Sequence, residues 1–207
     1  MHYLQLAFVM LFHPMDGLYT IKKHRTQLSL LVGPVFLLLL FVARVIFIFT
    51  VHTPLAALRP EDANLFYELG IIAFLLLVWA VSAFVVSSIF SGESTFLENF
   101  TATMYSTVPY LLLAVPLAFA SRIMSLNEYG LFTGIQTIIF LWIGFLLFLS
   151  VKQLNDYTLG KCVLVCLAIL FCFAVICAIL VLFFALLGNL ISFIEGVFTE
   201  IQQKLIL

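Results

Sequence analysis

Hydrophobic residues in this chain run in five long blocks separated by short polar breaks, and they do not alternate with polar ones. The blocks extend from about Leu28 to Val51, Leu69 to Ile89, Ala102 to Met124, Leu131 to Val151 and Lys161 to Leu187. Each supplies about the 20 apolar residues that a helix needs to cross a hydrocarbon layer of about 30 Å. A closed barrel would also satisfy its backbone in lipid, but barrel strands alternate apolar with polar side chains. The expected fold is all-α: a polytopic membrane protein of five transmembrane helices.

Two flanking segments have a different pattern. Within Met1 to Leu18 the apolar residues Leu4, Phe8, Leu11 and Phe12 recur at helical spacing, and His13-Pro14 should end that helix. At the other end Ile191, Ile194, Phe198, Ile201 and Leu205 share one face, with Glu195, Gln202 and Gln203 elsewhere on the wheel. Both read as amphipathic interfacial helices, the second continuing the fifth span or breaking from it near Gly188-Asn189. The expected organisation is an interfacial and basic lead-in over 1–27, a five-helix domain over 28–190 and a C-terminal amphipathic helix over 191–207.

Composition supports lipid as the solvent: 65% of the 207 residues are hydrophobic and only 9% are charged, too much apolar surface for a water-soluble domain of this size. Nine basic against ten acidic residues give a net charge of −1, so no basic field exists to hold nucleic acid. Cys162, Cys166, Cys172 and Cys177 all fall in the fifth block and read as small buried hydrophobes. No small-residue cleavage site follows the first apolar run, so no cleaved leader is expected. Lys22, Lys23, Arg25, Lys152 and Lys161 fall on one side of the spans and Arg59, Arg122 and Lys204 on the other. This bias predicts a cytoplasmic N-terminus and, after an odd number of crossings, an extracellular C-terminus.

Few polar residues lie at membrane depth. Arg44 is the one charge well inside a span, about 9 Å of helix rise from Thr50. Its side chain is expected to snorkel to the headgroups, the alternative being an ion pair with Glu68 that joins the first two spans. Gln136, Thr101, Thr103, Ser106 and Thr107 are expected to bond across helices. Gly130 and Gly134 form a small-xxx-small pair for helix packing. Pro109 and Pro116, seven apart, should bend the third span and make it a packing shape or a hinge.

Thr95-Phe96-Leu97-Glu98 is a capping box at the start of the third helix, and Asn155 to Lys161 reads as a polar turn. The sequon Asn99-Phe100-Thr101 falls on the expected cytoplasmic side, where glycosylation does not occur. His2, His13, His24 and His52 are dispersed, and neither a phosphate-cradling glycine loop nor a serine elbow is present. No catalytic, cofactor-binding or metal-binding residue is therefore assigned.

Three features in order carry a resemblance. They are the lead-in Phe12-His13-Pro14-Met15-Asp16-Gly17-Leu18-Tyr19-Thr20-Ile21-Lys22, the stretch from Phe90-Ser91-Gly92-Glu93 through Tyr105-Ser106-Thr107-Val108-Pro109-Tyr110, and Asp156-Tyr157-Thr158-Leu159-Gly160-Lys161. With five helices they resemble the Yip-domain family of integral membrane proteins, named for Ypt/Rab-interacting proteins. The long hydrophilic N-terminus and Asp-Leu-x-Gly-Pro motif that the resemblance leads one to expect of eukaryotic members are absent, so Rab binding is not expected. The compact form resembles the bacterial branch. That resemblance implies a bacterial plasma membrane and, because some such members are encoded beside carbohydrate ABC importers, an accessory role in transport.

The expected function is a non-catalytic membrane scaffold or accessory subunit of a complex, an ABC-type transport assembly being the implied example. Its partners would be membrane lipids and other integral subunits, ABC transporter components being those the resemblance implies, with no nucleic acid and no cofactor. Glu93, Glu98, Asp156 and Tyr157, on the expected cytoplasmic side, are the candidate partner contacts. The alternative is a small stand-alone channel or carrier, for which only the Pro109/Pro116 helix suggests a break. An intramembrane enzyme ranks below both for want of a nucleophile and base.

Overall fold

The computed structural model describes residues 3–24, 31–52, 55–56 and 58–206, with side chains from residue 5 to residue 195. Among them are eight helices: α1 (Tyr3–Phe12), α2 (Pro14–Lys23), α3 (Val32–Thr50), α4 (Leu65–Ile89), α5 (Phe96–Ser106), α6 (Val108–Ala120), α7 (Tyr129–Leu154) and α8 (Leu159–Ile206). α3, α4, α5 with α6, α7 and α8 are the five segments long and apolar enough to cross a membrane. The described chain is helical between short turns and contains no strand.

Local chemistry sets most of the helix ends. Asn64 caps α4, its Oδ1 accepting from the Phe66 and Tyr67 amides at 3.1 and 3.2 Å, and the second span therefore begins at Leu65, ahead of the expected Leu69. The third span begins at Phe96, six residues before the expected Ala102, because the Thr95–Glu98 capping box starts it. Its first two turns carry Asn99, Thr101 and Thr103, polar enough to interrupt a hydropathy pattern yet buried among neighbouring helices. This span is the most enclosed of the five.

Pro109 and Pro116 behave differently. The third span is interrupted at Thr107, and Pro109 sits at the start of α6, where a missing amide leaves no intrahelical bond unmade. Pro116 lies inside α6 without ending it. Of the expected bends, the one at Pro109 is a break in the helix at Thr107.

The N-terminal lead-in joins the bundle core. His13-Pro14 ends α1 as expected, and Pro14 at once begins a second helix, which the sequence pattern did not show. Leu6 and Met10 of α1 and Leu18 and Ile21 of α2 are buried with Phe36, Ala102, Met104, Tyr105, Val108 and Leu154. Phe8 and Phe12, of the face named from the sequence, point away from the bundle at 57% and 71% exposure. A stripe that meets the bundle, spaced four residues apart at Leu6 and Met10, took the inner side.

α8 packs against α4 through Cys162, Val165 and Ile169 and then continues as one helix through Ile206, with no break at Gly188-Asn189. From residue 181 to residue 195 nearly every described side chain is exposed. The proposed polar and apolar faces beyond residue 195 lie outside the described side chains. At the end of the bundle holding the α3 and α6 C-termini, Ser121 Oγ accepts from the His52 amide at 3.0 Å and Arg122 Nε donates to the Thr50 carbonyl at 3.2 Å.

Candidate functional site

The opposite end of the bundle gathers the polar chemistry. α4 closes at Phe90, and Ser91 turns the chain with φ 56°, a left-handed conformation that glycine adopts more readily. The Gly92 amide then bonds back to the Ser87 carbonyl at 2.7 Å. Gly92 has no room for a side chain: a Cβ there would stand 2.3 Å from Asn155 Oδ1 and 2.6 Å from the Tyr157 hydroxyl oxygen.

Those two neighbours come from the turn between α7 and α8. Asn155 is buried; its Oδ1 accepts from the Ser94 amide at 3.2 Å, and its Nδ2 donates to the Val151 carbonyl at 3.0 Å and reaches Ser87 Oγ at 3.4 Å. Tyr157 is buried too, and its hydroxyl donates to the Ser87 and Phe90 carbonyls at 3.2 and 3.3 Å. These are the carbonyls that the last turn of α4 leaves without intrahelical partners. Burial raises the Tyr157 phenol above its ordinary pKa, which keeps it a donor.

Charge ties in the third segment. Lys22, at the end of α2, pairs with Asp156 and stands 3.7 Å from Glu93. Asp156 holds the second left-handed turn of this junction, with φ 50°. Both carboxylates keep most of their surface in solvent, whereas the lysine is largely covered. Lys161 places its ammonium 4.4 Å from the centre of the Tyr157 ring. The three sequence segments that carried the family resemblance therefore meet in one hydrogen-bonded junction.

The expected partner contacts divide accordingly. Glu93 and Asp156 are exposed, although both face Lys22. Glu98 is corrected: it is 1% exposed, and its Oε2 accepts from the Thr95 amide at 2.6 Å and the Thr95 hydroxyl at 2.8 Å, so it is consumed in the capping box. Tyr157 is likewise corrected from surface anchor to internal tie. The Asn99 amide of the sequon is buried against Ser94 Oγ and the Thr95 carbonyl. The hydroxyls expected to bond across helices bond within their own, Thr103 to Asn99, Ser106 to Ala102 and Thr107 to Met104 carbonyls at 2.6–2.8 Å. Thr101 Oγ1 is buried with no partner.

Arg44 settles on the second of its two readings. Its Nε donates to Glu68 Oε2 at 2.9 Å, joining α3 to α4, so the snorkelling expectation is corrected. Pairing wins because the Asn64 cap draws Glu68 into the first turn of α4, within reach of Arg44. Gly130 and Gly134, expected to pack helices, face open space: an added Cβ at either meets nothing within 4 Å. Gly33 is instead a glycine that another helix approaches closely, a Cβ there falling 2.4 Å from the Phe100 ring, as is Gly17, where one would fall 2.8 Å from Met10.

No group of three His, Cys, Asp or Glu side chains gathers in metal-binding geometry among the described residues, and the four cysteines are free thiols. Sequence reasoning missed Lys22, Ser87, Gly92 and Asn155 as partners of one site. A Ser-Gly pair ending an apolar run marked one turn, but nothing local marks which turn it will meet.

No curated protein and no solved structure matches the chain. The family model for the Yip1 domain matches residues 8–183, which takes in α2, the junction, the first four spans and most of the fifth, and the chain belongs to the Yip1-domain family of membrane proteins.

Proposed function

We propose that this chain is a non-catalytic scaffold or accessory subunit of a membrane protein complex, and that it docks its partner at the junction built by Lys22, Glu93 and Asp156. One observation carries this reading. Two segments are fixed together by buried hydrogen bonds, a third joins them through the Lys22 ion pair, and the carboxylates of Glu93 and Asp156 face outward there. Pre-organised surface charge of this kind steers and orients a partner with basic residues. A transport assembly of the carbohydrate ABC type is the form of complex that the bacterial resemblance supports. In this reading the junction faces the cytoplasm of a bacterial cell, and the helix ends near Thr50 and Ala120 face outward, as the basic bias predicts.

Affinity isolation of the full chain from its native membrane tests the role. Stoichiometric companion chains, lost on charge reversal in Glu93→Lys with Asp156→Lys, are the expected result. A chain recovered alone, or a complex unaffected by both reversals, would refute docking at this face. Reporters fused at each end test the sidedness; both ends on one side of the bilayer would contradict it.

A further inference from the structure

Arg44 of α3, Tyr110 of α6 and Gln136 of α7 line one cavity of about 160 Å³ at the end of the bundle away from the junction. Its other walls are mostly apolar, Phe47, Phe132 and Phe140 among them, and Phe140 is 61% exposed on the outer surface of α7. The cavity is thus a polar recess with an apolar margin that reaches the lipid side.

The polar groups are rich in donors. Arg44 gives its Nε to one oxygen of Glu68 at 2.9 Å, which leaves the four terminal N–H groups of the guanidinium for Tyr110 and the cavity. The Gln136 side chain makes no hydrogen bond to any described residue, although it lies two turns inside α7. In a medium without water an amide with no partner is costly, and a ligand that brings oxygen acceptors removes the cost. Glu68 already balances the charge of Arg44, so the recess carries no net charge and suits a neutral acceptor better than a cation or an ionised carboxylate.

Size and depth narrow the ligand. A cavity of about 150 Å³ accommodates a benzene-sized guest, so this one holds a carboxyl or ester group and a few methylenes and leaves a phospholipid headgroup outside. Arg44 lies about 9 Å of helix rise from the end of α3, so the recess is nearer one end of the spans than their middle.

We propose that this cavity binds the acyl carboxyl group of a lipid, its carbonyl oxygen accepting from Arg44 and Gln136 while the hydrocarbon chain leaves past Phe140 into the bilayer. The group has two sources, a protonated free fatty acid or the ester of an intact phospholipid, and both present a neutral carbonyl oxygen.

Photolabelling of the purified full chain in nanodiscs tests it. One arm uses palmitic acid carrying a chain diazirine, and the other uses phosphatidylglycerol with the same diazirine on an acyl chain. Saturable labelling of α3 and α7 peptides that line the cavity, competed by the unlabelled counterpart, is the expected result. Labelling in the first arm identifies the free acid as the ligand, and labelling in the second the ester. Gln136→Leu should weaken labelling about fivefold to tenfold. Ala114→Phe, which fills the recess, should abolish it. Non-saturable labelling spread over all lipid-facing helices, no competition in the unaltered protein, or labelling unchanged in both variants with intact circular dichroism would overturn the proposal.

Discussion

Tyr157 donates its hydroxyl hydrogen to the carbonyl of Ser87 at 3.2 Å, so that a side chain from the last turn closes the end of a helix 70 residues earlier. The bond does for α4 what a cap does locally, and it fixes the angle between the α4–α5 and α7–α8 connections.

Tyr157→Phe should therefore lower stability by about 1 kcal/mol, the net value of one such bond. Asn155→Ala should cost more, about 1–3 kcal/mol, because it strands the buried Ser94 amide. Thermal unfolding in detergent measures both. Because burial raises the Tyr157 phenol, its neutral form favours the folded chain: this contribution is complete below the ordinary tyrosine pKa of about 10 and declines as pH rises past it. In Tyr157→Phe that part of the alkaline slope should disappear.

Gly92→Ala should destabilise by about 2–3 kcal/mol, since the new methyl would stand 2.3 Å from Asn155 Oδ1. The penalty should shrink when Asn155 is also alanine. A double-mutant cycle on melting temperature reads this coupling, and purely additive effects would count against the close approach.

Arg44 and Glu68 should behave as a pair. Arg44→Met or Glu68→Leu alone leaves a charge unmatched at membrane depth and should cost about 1–3 kcal/mol or more. The double substitution should recover much of that loss in chemical unfolding experiments. If the two single losses simply add, the helices are held by something other than this ion pair.

Thr101→Val removes a buried hydroxyl that has no partner and keeps the shape of the side chain. Stability should stay level or rise by up to about 1 kcal/mol. A clear loss in the same melting assay would mean that the hydroxyl is satisfied in the membrane-embedded protein.

The junction was partly legible beforehand. Thr95 and Glu98 announced a helix start because a capping box is complete within four consecutive residues, and the structure contains it. The same local view took Glu98 for a surface charge, because it could not register that α5 sinks its first turn into the bundle. Hydropathy likewise set the third span too late, since it scores Asn99, Thr101 and Thr103 by polarity and is blind to the neighbours that bury them.

The sequence by itself determined that the chain is helical and has five segments able to cross a bilayer, because the length of an apolar run and the capping of its ends are properties of adjacent residues. It also determined where His13-Pro14 must end a helix. Only the tertiary structure decided that Arg44 meets Glu68, that Lys22 reaches Asp156 and Glu93, and that Gly130 and Gly134 pack against nothing within the described chain. Those outcomes depend on how helices distant in sequence rotate and tilt against one another, and many rotations bury similar apolar area while only one brings these particular groups within hydrogen-bonding distance.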